Sequence, residues 1–400
     1  MVARRKSLAV LVAIVWCACF PAAASRISEG DQSDRVLIAD PSPILSSYLV
    51  HSGFVIETAE RLDAIGLTLM IARSPRGVRA EISLRALKER FPTAVAALDD
   101  RLDLAHDARL GRGATAKPQQ VLTAIDWQPD ASEAAADIRV GVIDSSLDLA
   151  HPALQGAIIT QRTFTSRQSP TAEQDHGTAI AAMLVGRSSA DSVSGLLHGA
   201  SLYYASIFRD GDHGPTASSA DFLRAVDWLT RSGVSVINAS VTSPSENAVI
   251  TYAMWLLARQ KVILVAAAGN NGPSAPPVYP AAIPSVFAVT AVSVRGDGYR
   301  YANVGDYIDI SAPGINLPTT SRKITSGTSL AVPFVTAAVA RLVQTCGVSP
   351  LEAEVALQAN ARDLGPRGWD SHFGWGLLQA PLSCGAGAAQ IAISAADRHP

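Results

Sequence analysis

The segment Thr325-Ser326-Gly327-Thr328-Ser329-Leu330-Ala331-Val332-Pro333-Phe334-Val335 joins a small, glycine-containing turn to an apolar helix predicted to reach about Leu342. Ser329 falls where this helix begins. We therefore expect its hydroxyl to be exposed beside free backbone N–H groups and the positive end of the helix dipole. A nucleophile that must stabilise an oxyanion needs such surroundings. On this segment alone, a helix N-cap at Ser329 or Thr328 is the simpler interpretation.

Composition sets broad limits on the rest of the chain. It has 400 residues, of which 48% are hydrophobic and 17% charged, and its net charge is −2. A chain of this length can bury a large core and form more than one domain. The chain lacks the excess of basic residues that would indicate a nucleic-acid partner.

The first 24 residues have the pattern of a secretory signal. Arg4-Arg5-Lys6 precedes the apolar run from Leu8 to Phe20, and Ala22-Ala23-Ala24 follows it. This pattern predicts cleavage after about Ala24 and a secreted or periplasmic protein. An uncleaved anchor is the alternative, although the apolar run is short for a membrane span. No other stretch is long and apolar enough, so the mature chain is predicted to lack a membrane span.

Cysteine usage is sparse. Cys17 and Cys19 would leave with the signal, so the mature chain keeps Cys346 and Cys384. An even pair in an exported protein indicates a disulfide, and two unrelated thiols are the alternative. Because no CxxC motif or histidine cluster accompanies them, they do not indicate a metal site.

Residues 25–117 are predicted to form a small α+β domain and a linker. The predicted elements are strands at Tyr48–Thr58, Leu67–Ala72 and Ala94–Leu104 and a helix at Arg79–Arg90. The stretch from Arg101 to Lys117 becomes charged and glycine-containing, as exposed and cleavable linkers are. An ordinary N-terminal domain that stays attached is the alternative.

Residues 118–384 alternate between apolar strands and helices. Strands are predicted at Ile138–Ile143, Ser201–Ile207, Val234–Ala239, Val262–Ala267, Val286–Val292 and Tyr307–Ile310, and helices at Thr178–Val185, Ser218–Arg231 and Glu246–Arg259. This alternation predicts an α/β fold, a doubly wound and mostly parallel sheet covered by helices on both faces. Residues 385–400 are rich in alanine and glycine and are predicted to be a loosely ordered tail.

Three more polar residues stand at the edges of these elements. Asp144 ends a buried strand, His176 lies at a helix entry beside Gly177, and Asn270 follows another strand at a turn. Functional groups collect at the carboxyl ends of parallel strands. Taken singly, Asp144 could orient a base, bind a metal or cap a turn, His176 could be structural, and Asn270 could serve turn chemistry.

Together these segments resemble the subtilisin-like serine proteases, or subtilases, from about Val121 to Leu382. The matching blocks are Gly141-Val142-Ile143-Asp144-Ser145-Ser146, His151-Pro152, His176-Gly177-Thr178, Val236-Ile237-Asn238-Ala239-Ser240, Ala266-Ala267-Ala268-Gly269-Asn270, Ala312-Pro313-Gly314 and Ser326-Gly327-Thr328-Ser329 with Ala331 and Pro333. The order Asp, His, Ser also fits the subtilisin arrangement and not the other common triad orders.

The resemblance implies a serine endopeptidase and assigns roles to its residues. Ser329 would attack the peptide carbonyl, His176 would transfer the proton, and Asp144 would orient the imidazole. The Asn270 amide and the Ser329 N–H would hold the oxyanion. The implied substrate-binding residues are Ser240, Val241, Thr242, Gly269 and Val278.

Several positions depart from the family pattern. Ser146, Thr242 and Ser243 replace common glycines, and Leu330, Val332 and Phe334 stand where methionine, serine and histidine are frequent. Val278 stands where the family often has a glycine at the floor of the primary specificity pocket. We therefore expect small or medium apolar side chains before the scissile bond.

The resemblance also implies a self-processed zymogen. Residues 25–117 would be a propeptide that acts as intramolecular inhibitor and folding chaperone, because a large parallel sheet with many non-local contacts folds slowly. The expected partners are polypeptide substrates and this propeptide, and the expected state is a monomer. A catalytically inactive subtilase fold used for binding is the alternative. A nucleotide-binding enzyme would need a GxGxxG turn, which is missing after Asp144.

No cofactor or metal is expected. Calcium-binding relatives place a carboxylate after the His-Pro pair, but here Ala153 follows His151-Pro152, and the partner loop around Asp191 also carries Arg187. So few carboxylates predict weak calcium binding at best. A weaker site that uses backbone carbonyls near Tyr279-Pro280-Ala281 stays compatible with the sequence.

Overall fold

A computed structural model describes residues 34–105, 114–128, 135–165, 174–211, 214–320 and 324–380. The predicted signal at 1–24 and the tail at 385–400 lie outside these ranges. So does Cys384. Cys346 is disulfide-bonded, and its predicted pairing with Cys384 stays a prediction.

The N-terminal part is an α+β domain. Its elements are β1 (Arg35–Ala39), α1 (Pro43–His51), β2 (Val55–Leu62), β3 (Leu67–Arg73), α2 (Ala80–Arg90), β4 (Ala96–Leu98) and β5 (Arg101–Leu104). Strands β2, β3, β1 and β4 form an antiparallel sheet in that order. Its core lies between this sheet and the two helices, with Leu49 of α1 and Leu87 of α2 fully packed.

Two predicted elements of this domain are wrong. The strand predicted at Tyr48–Thr58 is divided between α1 and β2, because Pro43 starts a helix whose N-cap is the Ser42 side chain, which accepts from the Leu45 N–H. The predicted strand Ala94–Leu104 becomes β4 and β5. Strand β4 completes the domain sheet, whereas β5 lies between two short strands of the larger domain, β9 (Thr216–Ser218) and β11 (Val241–Thr242).

The larger part is the predicted doubly wound α/β domain. Its elements are α3 (Pro118–Ala124), β6 (Arg139–Asp144), a 3₁₀ turn (Pro152–Leu154), β7 (Ile158–Thr163), α4 (Gln174–Val185), β8 (Ser201–Ser206), β9 (Thr216–Ser218), α5 (Ser219–Arg231), β10 (Val236–Ala239), β11 (Val241–Thr242), α6 (Ala248–Arg259), β12 (Ile263–Ala267), β13 (Val286–Val292), β14 (Ile310–Pro313), β15 (Leu317–Pro318), β16 (Ile324–Thr325), α7 (Thr328–Cys346) and α8 (Pro350–Asn360).

Seven parallel strands form the central sheet in the order β14-β13-β12-β10-β6-β8-β7. Successive side chains of a strand face opposite sides, so Val142 packs in the core with α4 and α7 while Ile143 packs in the core with α5 and α6. The prediction of a mostly parallel sheet covered on both faces is thereby confirmed. The predicted strand Tyr307–Ile310 is displaced to β14, and the edge strand β7 has too little apolar character to have been predicted.

Helix α7 runs through the core. Among the described residues it is the one helix that is long and apolar enough to cross a membrane, by length and composition alone. However, 72% of its apolar 18-residue stretch is buried inside the protein. Burial of that extent is typical of a core helix. The helix ends where Gly347 adopts a left-handed conformation with φ of 64°.

Candidate active site

Three elements of the large domain bring together the residues predicted to act in catalysis. Asp144 ends β6, His176 lies in the first turn of α4, and Ser329 is the second residue of α7. The His176 Nδ1 atom lies 2.8 Å from Asp144 Oδ1, and its Nε2 atom lies 3.0 Å from Ser329 Oγ. This is the hydrogen-bonded order of nucleophile, base and orienting carboxylate.

These side chains are buried, with exposed fractions of 0% for Asp144, 6% for His176 and 2% for Ser329. The sequence-based expectation of an exposed Ser329 hydroxyl is therefore wrong. The physical reason is that the chain segment ending at Ala105 occupies the cleft above the site, as its contacts with Asn270 and Ser240 establish.

The Asn270 amide is held in one orientation. Its Oδ1 atom accepts hydrogen bonds from the Thr328 N–H at 2.9 Å and the Thr328 hydroxyl at 3.1 Å. Because the carbonyl side is fixed by two donors, the NH₂ side is left for the cleft, and Asn270 Nδ2 lies 3.4 Å from the Ala105 carbonyl oxygen. The NH₂ group of Asn270 thus lies within hydrogen-bond distance of a backbone carbonyl in the cleft.

Gly269 and Val278 lie next to this amide. Gly269 has a φ of 102°, and a Cβ there would approach Val278 Cγ2 and the Asn303 side chain to 3.0 Å. Val278 is 3% exposed. The glycine is therefore required both by its left-handed backbone and by close packing, and the valine fills space beside it.

The segment of β5 and Ala105 pairs with three of the five residues predicted to bind substrate, Ser240, Val241 and Thr242. Leu104 lies opposite Val241 and Asp103 opposite Thr242 in antiparallel register, and the Ala105 N–H donates to the Ser240 carbonyl at 2.9 Å. On its other side β5 pairs with β9. An extended segment added to an exposed strand is the way many peptides are recognised.

Strand β9 and the surroundings of Leu102 were not foreseen from the sequence. The Leu102 side chain is buried in a cleft lined by Phe222, Ile250 and Tyr279, among others. Strand β9 has three residues, and so short a segment carries no periodicity that could have marked it. The sequence predicted α5 and α6 as helices that cover the sheet, without a contact to Leu102.

The described residues contain no group of three or more His, Cys, Asp or Glu side chains that could hold a metal ion. Ala153 donates its N–H to the His151 ring, and Arg187 donates its N–H to the Ala153 carbonyl. The expected weakness of calcium binding stays a prediction.

The comparisons with known proteins agree with this geometry. The model of the subtilase family matches residues 135–376. Minor extracellular protease Epr of Bacillus subtilis (strain 168) is 31% identical over 255 residues, which cover 61% of this chain and 38% of Epr. Subtilisin DY of Bacillus licheniformis is 28% identical over 253 residues, which cover 61% of this chain and 89% of the relative. The chain thus spans well under half of Epr.

A solved structure gives the same fold. The prenylagaramide maturation protease PagA matches with a TM-score of 0.53 and 25% identity over 70% of this chain and 98% of PagA. Fold and site together define the class of subtilisin-like serine endopeptidases. Since the family model covers more than half of its length, the chain belongs to the subtilase family.

Proposed function

We propose that the protein is a secreted serine endopeptidase that hydrolyses peptide bonds with Ser329, His176 and Asp144. The observation that carries the proposal is the position of His176, in hydrogen-bond contact with Asp144 on one side and Ser329 on the other. His176 takes the Ser329 proton as Oγ attacks the carbonyl, and it later gives that proton to the leaving amine. Asp144 holds the imidazole and stabilises its cation.

Asn270 is the proposed oxyanion donor, together with the Ser329 N–H. The Ser329 N–H lies in the first turn of α7, where backbone N–H groups have no partner within the helix. Asn270 Nδ2 is directed at the Ala105 carbonyl by the two hydrogen bonds that fix its Oδ1 atom. The fixed Asn270 amide and the position of the Ser329 N–H at the start of α7 support these two groups as the oxyanion donors.

The protein is proposed to be a zymogen that cleaves the bond between Ala105 and His106. The Ala105 carbonyl lies at Asn270, and β5 lies antiparallel to β11 as an extended substrate would. Attack of Ser329 Oγ on the Ala105 carbonyl carbon would form an acyl-enzyme and release the His106 amine. Water would then release Ala105 as a carboxylate and restore Ser329.

The N-terminal domain is proposed to remain bound after this cleavage as an inhibitor. Asp227 of α5 accepts the Ala64 N–H at 2.8 Å and the Ile65 N–H at 3.3 Å, and Arg224 contacts Glu60 at 2.7 Å. Asp99 accepts the Ala220 N–H at 3.0 Å. Each of these contacts joins the N-terminal domain to α5, and the carboxylates come from both domains. None of them requires the bond after Ala105 to be intact.

Further contacts anchor the segment that enters the cleft. Asn247, the N-cap of α6, donates to the Leu98 carbonyl and to the Asp100 carboxylate at 2.9 Å each. They fix the chain seven and five residues before Ala105, at Leu98 and Asp100, so the cleaved end would be held in the cleft. This supports the propeptide as the protein's intramolecular partner.

Export and the monomeric state are also proposals. The sequence pattern of residues 1–24 and the printed name of a relative, an extracellular protease, support a secreted or periplasmic location. The substrates are proposed to be polypeptides that bind as β5 does.

A fluorophosphonate probe distinguishes this function from an inactive binding protein. The mature wild-type protein is expected to become labelled at Ser329, and Ser329→Ala and His176→Ala should not react. The alternative of an inactive fold would be supported by a folded, mature wild-type protein that does not react at Ser329.

We also propose that no tightly bound calcium stabilises the protein. The support is the absence of an oxygen side chain at Ala153 and the presence of Arg187 close to it. The melting temperature of the inhibited mature enzyme should change little between excess chelator and millimolar calcium. A large drop with chelator would contradict this.

A further inference from the structure

A buried tyrosine lies directly beneath the catalytic pair. Tyr204 is in β8, next to β6, and its side chain has no exposed surface. Its hydroxyl donates to the carbonyl oxygen of Ser145 at 2.8 Å. Ser145 is the residue after Asp144 and is itself fully buried. The tyrosine therefore contacts the turn that carries the catalytic carboxylate, without touching the reacting atoms.

Ser145 connects both members of the Asp144–His176 pair. Its N–H donates to Asp144 Oδ1 at 2.7 Å, and this same oxygen contacts the His176 ring. Its hydroxyl accepts from the N–H of Gly177, the residue after His176, at 3.3 Å. A change in the position of Ser145 would thus move the carboxylate and the start of α4 relative to each other.

Gly177 is matched to the tyrosine. A Cβ at this position would overlap the Tyr204 hydroxyl and would lie 2.7 Å from the Ser146 carbonyl. The hydroxyl therefore fills the space that the missing side chain leaves between β8, the turn after Asp144 and the start of α4. Three elements meet at one oxygen atom.

We infer that Tyr204 is a positioning residue for catalysis, which holds Ser145 and through it the alignment of Asp144 with His176. This inference rests on the proposed function of the pair. Burial, and then the nearby Asp144 carboxylate, raise the pKa of Tyr204 well above its usual range. The hydroxyl consequently stays protonated as a donor throughout the pH range of activity.

The chain contains a matched control in the neighbouring residue. Tyr203 is on the opposite face of the same strand, half-buried, with its ring 6.2 Å from that of Trp228. Tyr203→Phe and Tyr204→Phe remove the same atom from adjacent residues. Only Tyr204→Phe removes a donor to Ser145.

The first measurement is turnover. For Tyr204→Phe we expect kcat to fall about tenfold with little change in KM, because the loss of one buried hydrogen bond misaligns the base without altering the substrate strand. Tyr203→Phe should keep wild-type kcat. Equal kcat in wild type and Tyr204→Phe, or an equal loss in both variants, would overturn the inference.

The second measurement does not need turnover. The His176 ring is titrated by NMR in full-length Ser329→Ala, with and without Tyr204→Phe. A looser contact with Asp144 stabilises the imidazolium less, so the midpoint should move to lower pH in the double variant. An unchanged midpoint would overturn the inference, and so would failure of the double variant to fold, since the hydroxyl would then serve the fold. Failure of the proposed function would be seen separately, as a wild-type enzyme without Ser329-dependent hydrolysis.

Discussion

The two largest sheets among the described residues contribute to their proposed functions in different ways. The seven-stranded sheet is parallel and buried, and the residues at its strand ends and in the adjoining helices, such as Asp144 and His176, have chemistry that a sequence pattern can reveal. The four-stranded sheet is antiparallel, and β2 is largely exposed. Its proposed inhibitory role depends on backbone pairing by β5 and on polar contacts with α5 and α6. The proposed catalysis thus depends on the identity of a few residues, and the proposed inhibition on strand pairing together with contacts spread over the interface.

The largest effect should come from the nucleophile. Ser329→Ala is expected to lower turnover by about 10⁶-fold, a magnitude carried over from the equivalent change in a subtilisin. The fold should persist because the substitution removes one hydroxyl from the start of α7. Rates on a peptide substrate and the circular dichroism spectrum would check both points. Substantial hydrolysis by the Ser329→Ala variant would show that Ser329 is not the nucleophile.

The oxyanion donor should matter less than the nucleophile. Asn270→Ala is expected to lower kcat by about 10²–10³, again a subtilisin value carried over. The variant also loses the acceptor of two Thr328 hydrogen bonds, so a melting curve is needed as a control. A kcat close to wild type in a stable variant would place the oxyanion donor elsewhere.

A change within β5 tests whether its backbone or its side chains decide recognition. Ala105→Phe should slow self-processing by roughly ten- to a hundredfold, if Val278, which lies beside Gly269, narrows the space before the scissile bond as the sequence predicts. Ala105→Ser, the small control, should mature at nearly the normal rate. Val278→Gly should restore processing of the phenylalanine variant. Rapid processing of Ala105→Phe with Val278 intact would show a wide pocket.

The smallest effect concerns stability far from the site. Burial raises the pKa of Asp309 to about 7, and burial followed by the Asp309 carboxylate raises that of Glu354 to about 8. A group whose pKa is higher in the folded than in the unfolded protein stabilises the fold when the pH is below its unfolded-state pKa. This stabilisation is lost as the pH rises through its folded-state pKa. The melting temperature of full-length Ser329→Ala should therefore fall between pH 6 and pH 9.

Glu354→Gln should reduce this fall, since it removes one of the two carboxyl groups whose pKa is raised. Glu352→Gln on the same helix is the control, because the hydrogen bonds from Ser349 lower the pKa of Glu352 and keep it ionised from pH 6 to pH 9. Both substitutions are made in full-length Ser329→Ala. If Glu354→Gln left the pH dependence of the melting temperature unchanged, the raised pKa of Glu354 would be contradicted.

The large parallel sheet was easier to predict from the sequence than the path of β5 or the role of Tyr204. The parallel sheet followed from near-continuous apolar strands such as Val286–Val292, and the meeting of Asp144, His176 and Ser329 followed from blocks in a known order. Strand β5 was merged with β4, because the direction a chain takes after Asp99 depends on partners in α5 and α6 and not on its own pattern. The sequence predicts Tyr204 only as part of a strand. Nothing in the neighbouring residues indicates that its hydroxyl reaches Ser145.

Cleavage of the chain after Ala105 by its own Ser329 would join the proposed roles of both domains. N-terminal sequencing of the purified mature protein, beside full-length Ser329→Ala prepared in the same way, tests it most directly. We expect the mature wild-type protein to begin at His106 and the Ser329→Ala protein to keep the residues before it. A wild-type N-terminus elsewhere, or a Ser329→Ala protein that matures normally, would contradict it.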